Sequence, residues 1–518
     1  MSATEVVQTA ATTAGPAPAP APRRAAAVLA LARFEARELL QFVPVFSFLL
    51  LYIGYTAWQL YSGGDGMGAY PVLQDVDRGT QIKPELLGIA LLICVNRAAL
   101  RSRRNGTDRH DGILPMEPWR RTVAHALSVV PYAALTALVV AVEFTWAALK
   151  PGASGHGSFF ELAVGPLCVL LSGVAGVLLA RLIPSFFAAP LVVIGGYVLL
   201  VLAAVNLDGS HGARWLLPTV TESGAGPLPS DLLGRPAAWH ALYLTGLILL
   251  VVCGAVLLSG ARTRTALAVT ALALAVTVTG ALGQAPGDSA ALKAARAEAS
   301  VHPERVQSCT VHGTSTYCAF PEWSGRTADW SAAADRVRRL AGGAAGGVRL
   351  TVRQRVEARY GLADDAAIAP LTRPGQVSVG TEWGGDRSAQ FAVGVASVLV
   401  AGDERAGSEV CDARVVTIMW LALGAEPDPL AGLRGARLDD SVEGSAIALT
   451  PVASVAMTAG QTDVVRQLLR QPRYGVIAKV KAHWTELTSP RTSLTRVAQL
   501  LGVTAPTTGE DSGDTCDR

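Results

Sequence analysis

Seven apolar runs, each near the ~20 residues an α-helix needs to cross a hydrocarbon core, crowd residues 43–282 of this 518-residue chain. They fall at about 43–60, 85–100, 122–149, 162–182, 187–205, 239–258 and 265–282. Inside a bilayer only a helix satisfies its own backbone in one segment, so runs of this length predict an α-helical multi-pass bundle of about 7 spans. The second run is short and can extend back toward Ile82, whereas the third is long enough to tilt or to project into water. Pro131, Pro166 and Pro190 are compatible with spans whose neighbours re-satisfy the freed carbonyls. Composition agrees: 16% of residues are charged, against ~25% in a soluble domain, and mean hydropathy is +0.35. A net charge of +3 on so long a chain gives no reason to expect nucleic acid as a partner.

Residues 1–24 are small, polar and Ala-Pro rich, so a disordered tail is expected. They do not read as a signal peptide, because no apolar core follows a basic start at the usual distance. Residues 25–41 follow helical periodicity, with Arg33, Glu35, Arg37 and Glu38 on the polar side. Directly before the first span, they predict an interfacial helix. Placing the N-terminus inside puts Arg23, Arg24, Arg33, Arg37, Arg97, Arg101, Arg103, Arg104, Arg109, Arg120, Arg121, Arg181, Arg262 and Arg264 on the inner side. Only Arg78, Lys83, Lys150, Arg214 and Arg235 then face out before Leu282. The positive-inside rule selects that orientation, with the chain in the cell membrane and its N-terminus cytoplasmic.

An odd number of spans places residues 283–503 outside, as an extracytoplasmic, mixed but mostly helical domain. It opens with a stalk (SAALKAARAEAS) and has helical patterning at Trp330–Leu340, Val410–Leu423, Thr462–Trp484 and Leu494–Leu501. Alternation at Val348–Val356 and Gln376–Thr381 predicts strands. The glycine cluster Gly342–Gly347 reads as a flexible linker, and residues 504–518 as a disordered acidic tail.

The loop between the second and third runs is RSRRNGTDRHDGILPMEPWRRT, from Arg101 to Thr122. Its Arg-rich start, Gly-Thr step, Ile-Leu-Pro centre and basic patch opening the next span resemble the permease subunits of type-2 ABC exporters. The helix 25–41 resembles that family's elbow helix. The outer loop 206–238, with Trp215–Pro218 and Pro227–Pro229, resembles its re-entrant segment, and Trp239–Gly246 opens a span in the manner of actinobacterial members. The resemblance covers residues 25–260, so it leaves the seventh span and the outer domain without counterparts.

The resemblance implies an ATP-driven export subunit that moves an amphipathic or lipid-like substrate as a homodimer or heterodimer of permeases. It also implies that Arg103, Arg104, Gly106, Thr107, Asp108, Leu114, Pro115, Glu117, Trp119 and Arg120 dock in a separate cytoplasmic ATPase. Alternatively, these arginines only set topology. No G-x-x-x-x-G-K-[ST] occurs, so the chain carries no phosphate cradle of its own and is not expected to be an enzyme. No cofactor or metal is expected.

Glu143 lies in the third run toward its outer end. It either faces a translocation path, as intramembrane acids tend to, or reaches the outer headgroups beside Trp146 and Lys150. Cys309 and Cys318 stand nine apart in a loop-like stretch on the oxidising side, where a disulfide is expected. A zinc site with His302 and His312 is the rival, but the spacing does not match paired-ligand patterns. Cys411 and Cys516 offer a second bridge. Cys94, Cys168 and Cys253 read as small hydrophobes, and Phe320–Trp330 as core or interface packing.

Two readings compete with export. One is a non-transporting receptor or anchor with a ligand-binding outer domain. The other is a membrane-bound enzyme with its site outside, for which His302, His312 and His483 are too scattered to nominate.

Overall fold

The computed structural model describes residues 21–106, 116–206, 215–219, 226–359 and 368–505. Of the two predicted tails, residues 1–20 and 506–518 lie outside these. Residues 21–24 are helical and open α1 (Ala21–Gln41), which buries Ala32, Glu35 and Leu39 and bends at Phe42 into α2 (Val43–Ser62). A short helix α3 (Leu73–Gly79) and a turn lead to α4 (Glu85–Ala99). Pro84 caps α4, so the second run stops there and does not extend back to Ile82. At 15 residues α4 rises only about 22 Å, short of a ~30 Å core.

The third run is two helices, α5 (Pro118–Leu127) and α6 (Val130–Ala148). They break at Ser128–Val129 because Pro131, in the first turn of α6, offers no N–H and its ring crowds the turn before it. Pro166, by contrast, sits inside the unbroken α7 (Phe159–Leu182). The bundle continues with α8 (Ala188–Asn206), α9 (Ala237–Leu258) and α10 (Arg264–Gln284).

Among the described residues, five helical segments are long and apolar enough to cross a membrane: Val43–Ser62, Pro118–Ala148, Phe159–Leu182, Ala237–Leu258 and Arg264–Gln284. The other two predicted runs correspond to α4 and to the apolar stretch Ala188–Leu199, both shorter.

Helix α7 packs against α4, α6 and α9. Helices α9 and α10 cross closely enough that a Cβ on Gly246 would stand 2.6 Å from the Thr277 nitrogen, and one on Gly280 2.5 Å from that of Tyr243. Such contact is how apolar helices associate where lipid is as apolar as leucine. Phe46, Leu50, Trp58, Leu191, Leu267 and Leu272 face outward.

Beyond α10, Ser289 caps α11 (Ala290–Val301), the predicted stalk. A four-stranded sheet follows in the order β1 (Ser308–His312), β2 (Ser315–Ala319), β3 (Thr351–Gln354), β4 (Gln376–Val379). The first pair is antiparallel and the other two are parallel. Strands β3 and β4 stand where alternation predicts them. The stretch 309–318, read as a loop, is instead the β1–β2 hairpin, and β5 (Ala446–Leu449) and β6 (Ser454–Met457) form a second, unpredicted hairpin.

Helix α12 (Thr327–Leu340) begins three residues before its expected start. Two helices, α13 (Asp386–Ala401) and α14 (Arg414–Leu423), buried from Ala389 to Val400 and from Val415 to Leu423, pack behind the sheet around Trp323, Trp330, Phe391 and Trp420. The predicted helix 462–484 is two helices, Ala459–Arg470 and Arg473–Ala482, parted at Pro472. Residues 343–347 form a tight turn, and Gly342 packs on Trp484, so the glycine cluster is no free linker.

Candidate functional site

Two polar regions bound the apolar bundle. At one end, α4 runs into a helical turn, Arg101–Arg104. The Arg101 guanidinium lies 3.7 Å from Glu35 and 3.7 Å from Glu38, both on α1. His125 of α5 stands 3.9 Å from Glu35. Three segments thus meet at one point: the helix before the first span, the start of the arginine loop and the helix after it. Arg103, Arg104 and Gly106 are exposed, and neither arginine has an ion-pair partner among the described residues. Thr107, Asp108, Leu114 and Pro115 lie outside the described residues. Where the chain re-enters, Glu117 pairs with Arg120 at 2.9 Å, and the Arg120 guanidinium sits 5.0 Å from the Trp119 ring centre. Thr122 and Ser259 share a hydrogen bond of 2.7 Å, joining the start of α5 to the end of α9.

At the opposite end, Glu143 of α6 turns into the bundle and pairs with Lys83, whose ammonium also donates to Gln59 of α2 at 2.6 Å. The hydroxyls of Tyr52 and Thr56 on α2 are buried nearby, and with one Glu143 oxygen they have no hydrogen-bond partner among the described residues. Trp146 faces outward, and Lys150 donates to the carbonyls of Gly63 and Gly68, both at 2.6 Å. Glu143 is therefore not grouped with Trp146 and Lys150. Its partner is Lys83, 60 residues away, which by sequence is only an outer-loop charge.

Below α3 lies a second polar cluster around a cavity of about 200 Å³. Arg78 reaches Glu161 of α7 at 3.0 Å, and Gln81 donates to the same carboxylate. Asp77, almost wholly buried, accepts the Ser158 N–H at 2.8 Å and stands 3.7 Å from Arg235. Burial, seconded by the charge of Glu161, pushes its carboxyl up to about 7 despite the Ser158 amide, Arg235 and Arg78. Gln74 donates to the Leu228 carbonyl at 2.9 Å and to Glu322, in the C-terminal part, at 3.2 Å.

Arg326, 2% exposed, completes this junction. It donates to the carbonyls of Tyr70 at 2.9 Å and Gly152 at 3.2 Å in the bundle, and of Thr381 at 3.0 Å. Burial pulls its pKa down to about 10, opposed by Asp329 and Tyr70. Residues 215–219, in the loop compared with a re-entrant segment, lie against α7 and α9, where Cys168 and His240 each meet the Pro218 carbonyl at 3.2 Å.

The cysteine expectation is met: Cys309 and Cys318 are bridged as directly opposed residues of the β1–β2 hairpin, with Cα atoms 4.0 Å apart. His302 instead faces Glu304, and His312 bonds Thr327. Cys411 is also disulfide-bonded, and Cys516 lies outside the described residues. Cys94, Cys168 and Cys253 are free thiols.

No family model, curated protein or solved structure matches the chain. Function is therefore read from the chain's own motifs and from the chemistry of its two polar ends.

Proposed function

We propose that this chain is the membrane-spanning permease subunit of an ATP-driven ABC exporter, acting with a separate cytoplasmic ATPase and as a dimer of permeases. The observation that carries the reading is the cluster of Glu35, Glu38, Arg101 and His125, which brings α1, the loop start and α5 together beside two exposed arginines that have no ion-pair partner among the described residues. An ATPase that pushes on the 101–121 loop would move α1, α4 and α5 as one body, because packed helices pass on a rigid shift. The bend at Ser128–Val129 would let α5 follow that push while α6 keeps its place.

In this reading α4 and α8 also count as spans, giving seven. A helix enclosed by protein, as α4 is, need not match the full lipid thickness. The arginine end faces the cytoplasm, and the C-terminal part lies outside, where the Cys309–Cys318 bridge is at home. The Lys83–Glu143 pair, with Tyr52 and Thr56, lines the outer section of the path for an amphipathic or lipid-like substrate. Charges inside a membrane are retained where they serve transport.

The test is a mild-detergent pull-down from the native host. A stoichiometric ATPase carrying a phosphate-binding loop should co-purify, and should be lost when residues 105–118 become a Gly/Ser linker or when Arg103 and Arg104 become Glu. An intact, membrane-inserted protein that brings no ATPase would shift the reading to a receptor or anchor centred on residues 283–518. Glu143→Gln should alter transport and its pH dependence; unchanged transport removes Glu143 from the path.

A further inference from the structure

A second cavity, of about 130 Å³, opens at the carboxyl ends of the parallel strands β3 and β4 and is lined by no described residue of the arginine loop. This edge of a parallel sheet is where α/β proteins place ligands, because strands end there and the following helix begins. Arg355 and Glu357 follow β3, Glu382 follows β4, and Arg387 and Gln390 come from the first turns of α13. Val356, Ile368 and Val452 supply an apolar side. A further wall is Pro227–Leu228, from the segment that leads into α9. The cavity is thus shared between the sheet domain and the helix bundle.

The charges are two of each sign, and they are only partly spent on one another. Glu382 is held by Arg387 at 2.7 Å, and Arg387 also donates to Gln390 at 3.1 Å. Glu357 is held from outside by Arg359 at 2.6 Å. Arg355 uses one nitrogen on the Ala369 carbonyl, at 2.6 Å, and on the Ser378 hydroxyl, at 3.3 Å. Its other N–H groups donate to no described residue. A half-buried guanidinium with a free edge is built for a carboxylate, which takes two parallel bonds from it. A purely anionic ligand would set a second negative charge beside Glu357 and Glu382, and a purely cationic one would meet both arginines. A ligand that carries both charges avoids each penalty.

We infer that this cavity binds a free α-amino acid, its carboxylate on Arg355, its ammonium between Glu357 and Glu382, and its side chain against Val356, Ile368 and Val452. The occupant touches Leu228, whose carbonyl is held by Gln74 at the junction with the bundle. Occupancy is therefore communicated to the segment preceding α9. None of this depends on the export reading.

The full-length protein in detergent is titrated calorimetrically with each of the twenty common amino acids. Any ligand found is compared with its amine and its carboxylic acid, each lacking the other charge. At least one amino acid should bind, with both single-charge analogues weaker by about tenfold or more, the loss expected for one charge-assisted hydrogen bond. Arg355→Gln should weaken binding to a similar degree. Because Arg355 also holds two groups of its own domain, Val452→Trp serves as a second variant: it fills the cavity from a surface turn, leaves every ion pair in place and should abolish binding. Folded protein that binds no amino acid, that binds the carboxylic acid equally well, or that keeps its affinity in Val452→Trp overturns the inference.

Discussion

Replacing Arg326 with methionine tests whether one side chain fastens the C-terminal part to the bundle. Methionine keeps most of the aliphatic volume and donates nothing. The substitution removes charge-assisted bonds to the carbonyls of Thr381, Tyr70 and Gly152, at 3.0, 2.9 and 3.2 Å. One guanidinium nitrogen serves the bundle carbonyls of Tyr70, Gly152 and, at 3.3 Å, Pro71, so the set counts as two strong bonds and one weaker, shared one. At about 1.5–3 kcal/mol for a bond to a charged group, the gross loss is about 4–6 kcal/mol. Removing a buried cation returns part of its desolvation cost, leaving a net loss of about 3 kcal/mol in holding the junction closed.

Two amides report on that junction: Leu73 N–H donates to the Ser154 carbonyl at 2.9 Å, and Ser154 N–H to that of Pro71 at 3.0 Å. At ~1.4 kcal/mol per tenfold, their hydrogen exchange should accelerate about 100-fold in Arg326→Met. Amides within α13 should keep their protection. If Leu73 and Ser154 exchange at the wild-type rate in a folded variant, the two loops hold themselves together and the clamp assignment is wrong.

Asp77 should make the same junction pH-sensitive. It binds its proton at about 7 when folded and at ~3.9 when unfolded, so between those values the folded state holds the extra proton. Its contribution is fully present below pH ~4 and is lost as pH rises through about 7, at up to ~1.4 kcal/mol per pH unit. Asp77→Asn should flatten thermal stability between pH 5 and 8; profiles that stay parallel to wild type would count against the assignment. Opening the Cys309–Cys318 bridge by a double serine substitution should cost the C-terminal part about 2.5–3 kcal/mol through the unfolded chain alone, read as a lower denaturant midpoint with the fold retained. Gly246→Ala should destabilise by about 1–3 kcal/mol, because its new Cβ meets the α10 backbone. Gly254→Ala on the same helix meets only the Leu178 side chain, at 3.5 Å, and should be nearly neutral in detergent melting.

What could be read from the sequence was whatever a local rule governs. Long apolar runs located the helices, period-two alternation located β3 and β4, and opposed cysteines nine apart found each other. The break at Ser128–Val129 follows from Pro131, whereas Pro166 leaves α7 whole, so proline position within the helix mattered more than its presence. Helix α14 lies within the predicted stretch Val410–Leu423, whereas α13 escaped because it is buried on every side from Ala389 to Val400, which erases the amphipathic period that marks a surface helix. The hairpin 308–319 carries no clear strand signal because β1 is an edge strand with no buried residue, so no apolar face marks it. The partners of Glu143 and of Tyr70 lay beyond reach for another reason: Lys83 and Arg326 are distant in sequence, and no local pattern signals a long-range ion pair or a shared carbonyl.

The junction also constrains how the protein is made. Arg326 follows Tyr70 by 256 residues and Gly152 by 174. At ~5–20 residues per second, roughly 10–50 s pass between the synthesis of the first loop and that of the side chain that satisfies it. For that interval the carbonyls of Tyr70 and Gly152 must stay hydrated, so this end of the bundle remains wet while its helices are already assembling. A ribosome stalled before codon 326 would leave a nearly complete bundle with two unfinished loops, a natural substrate for membrane quality control.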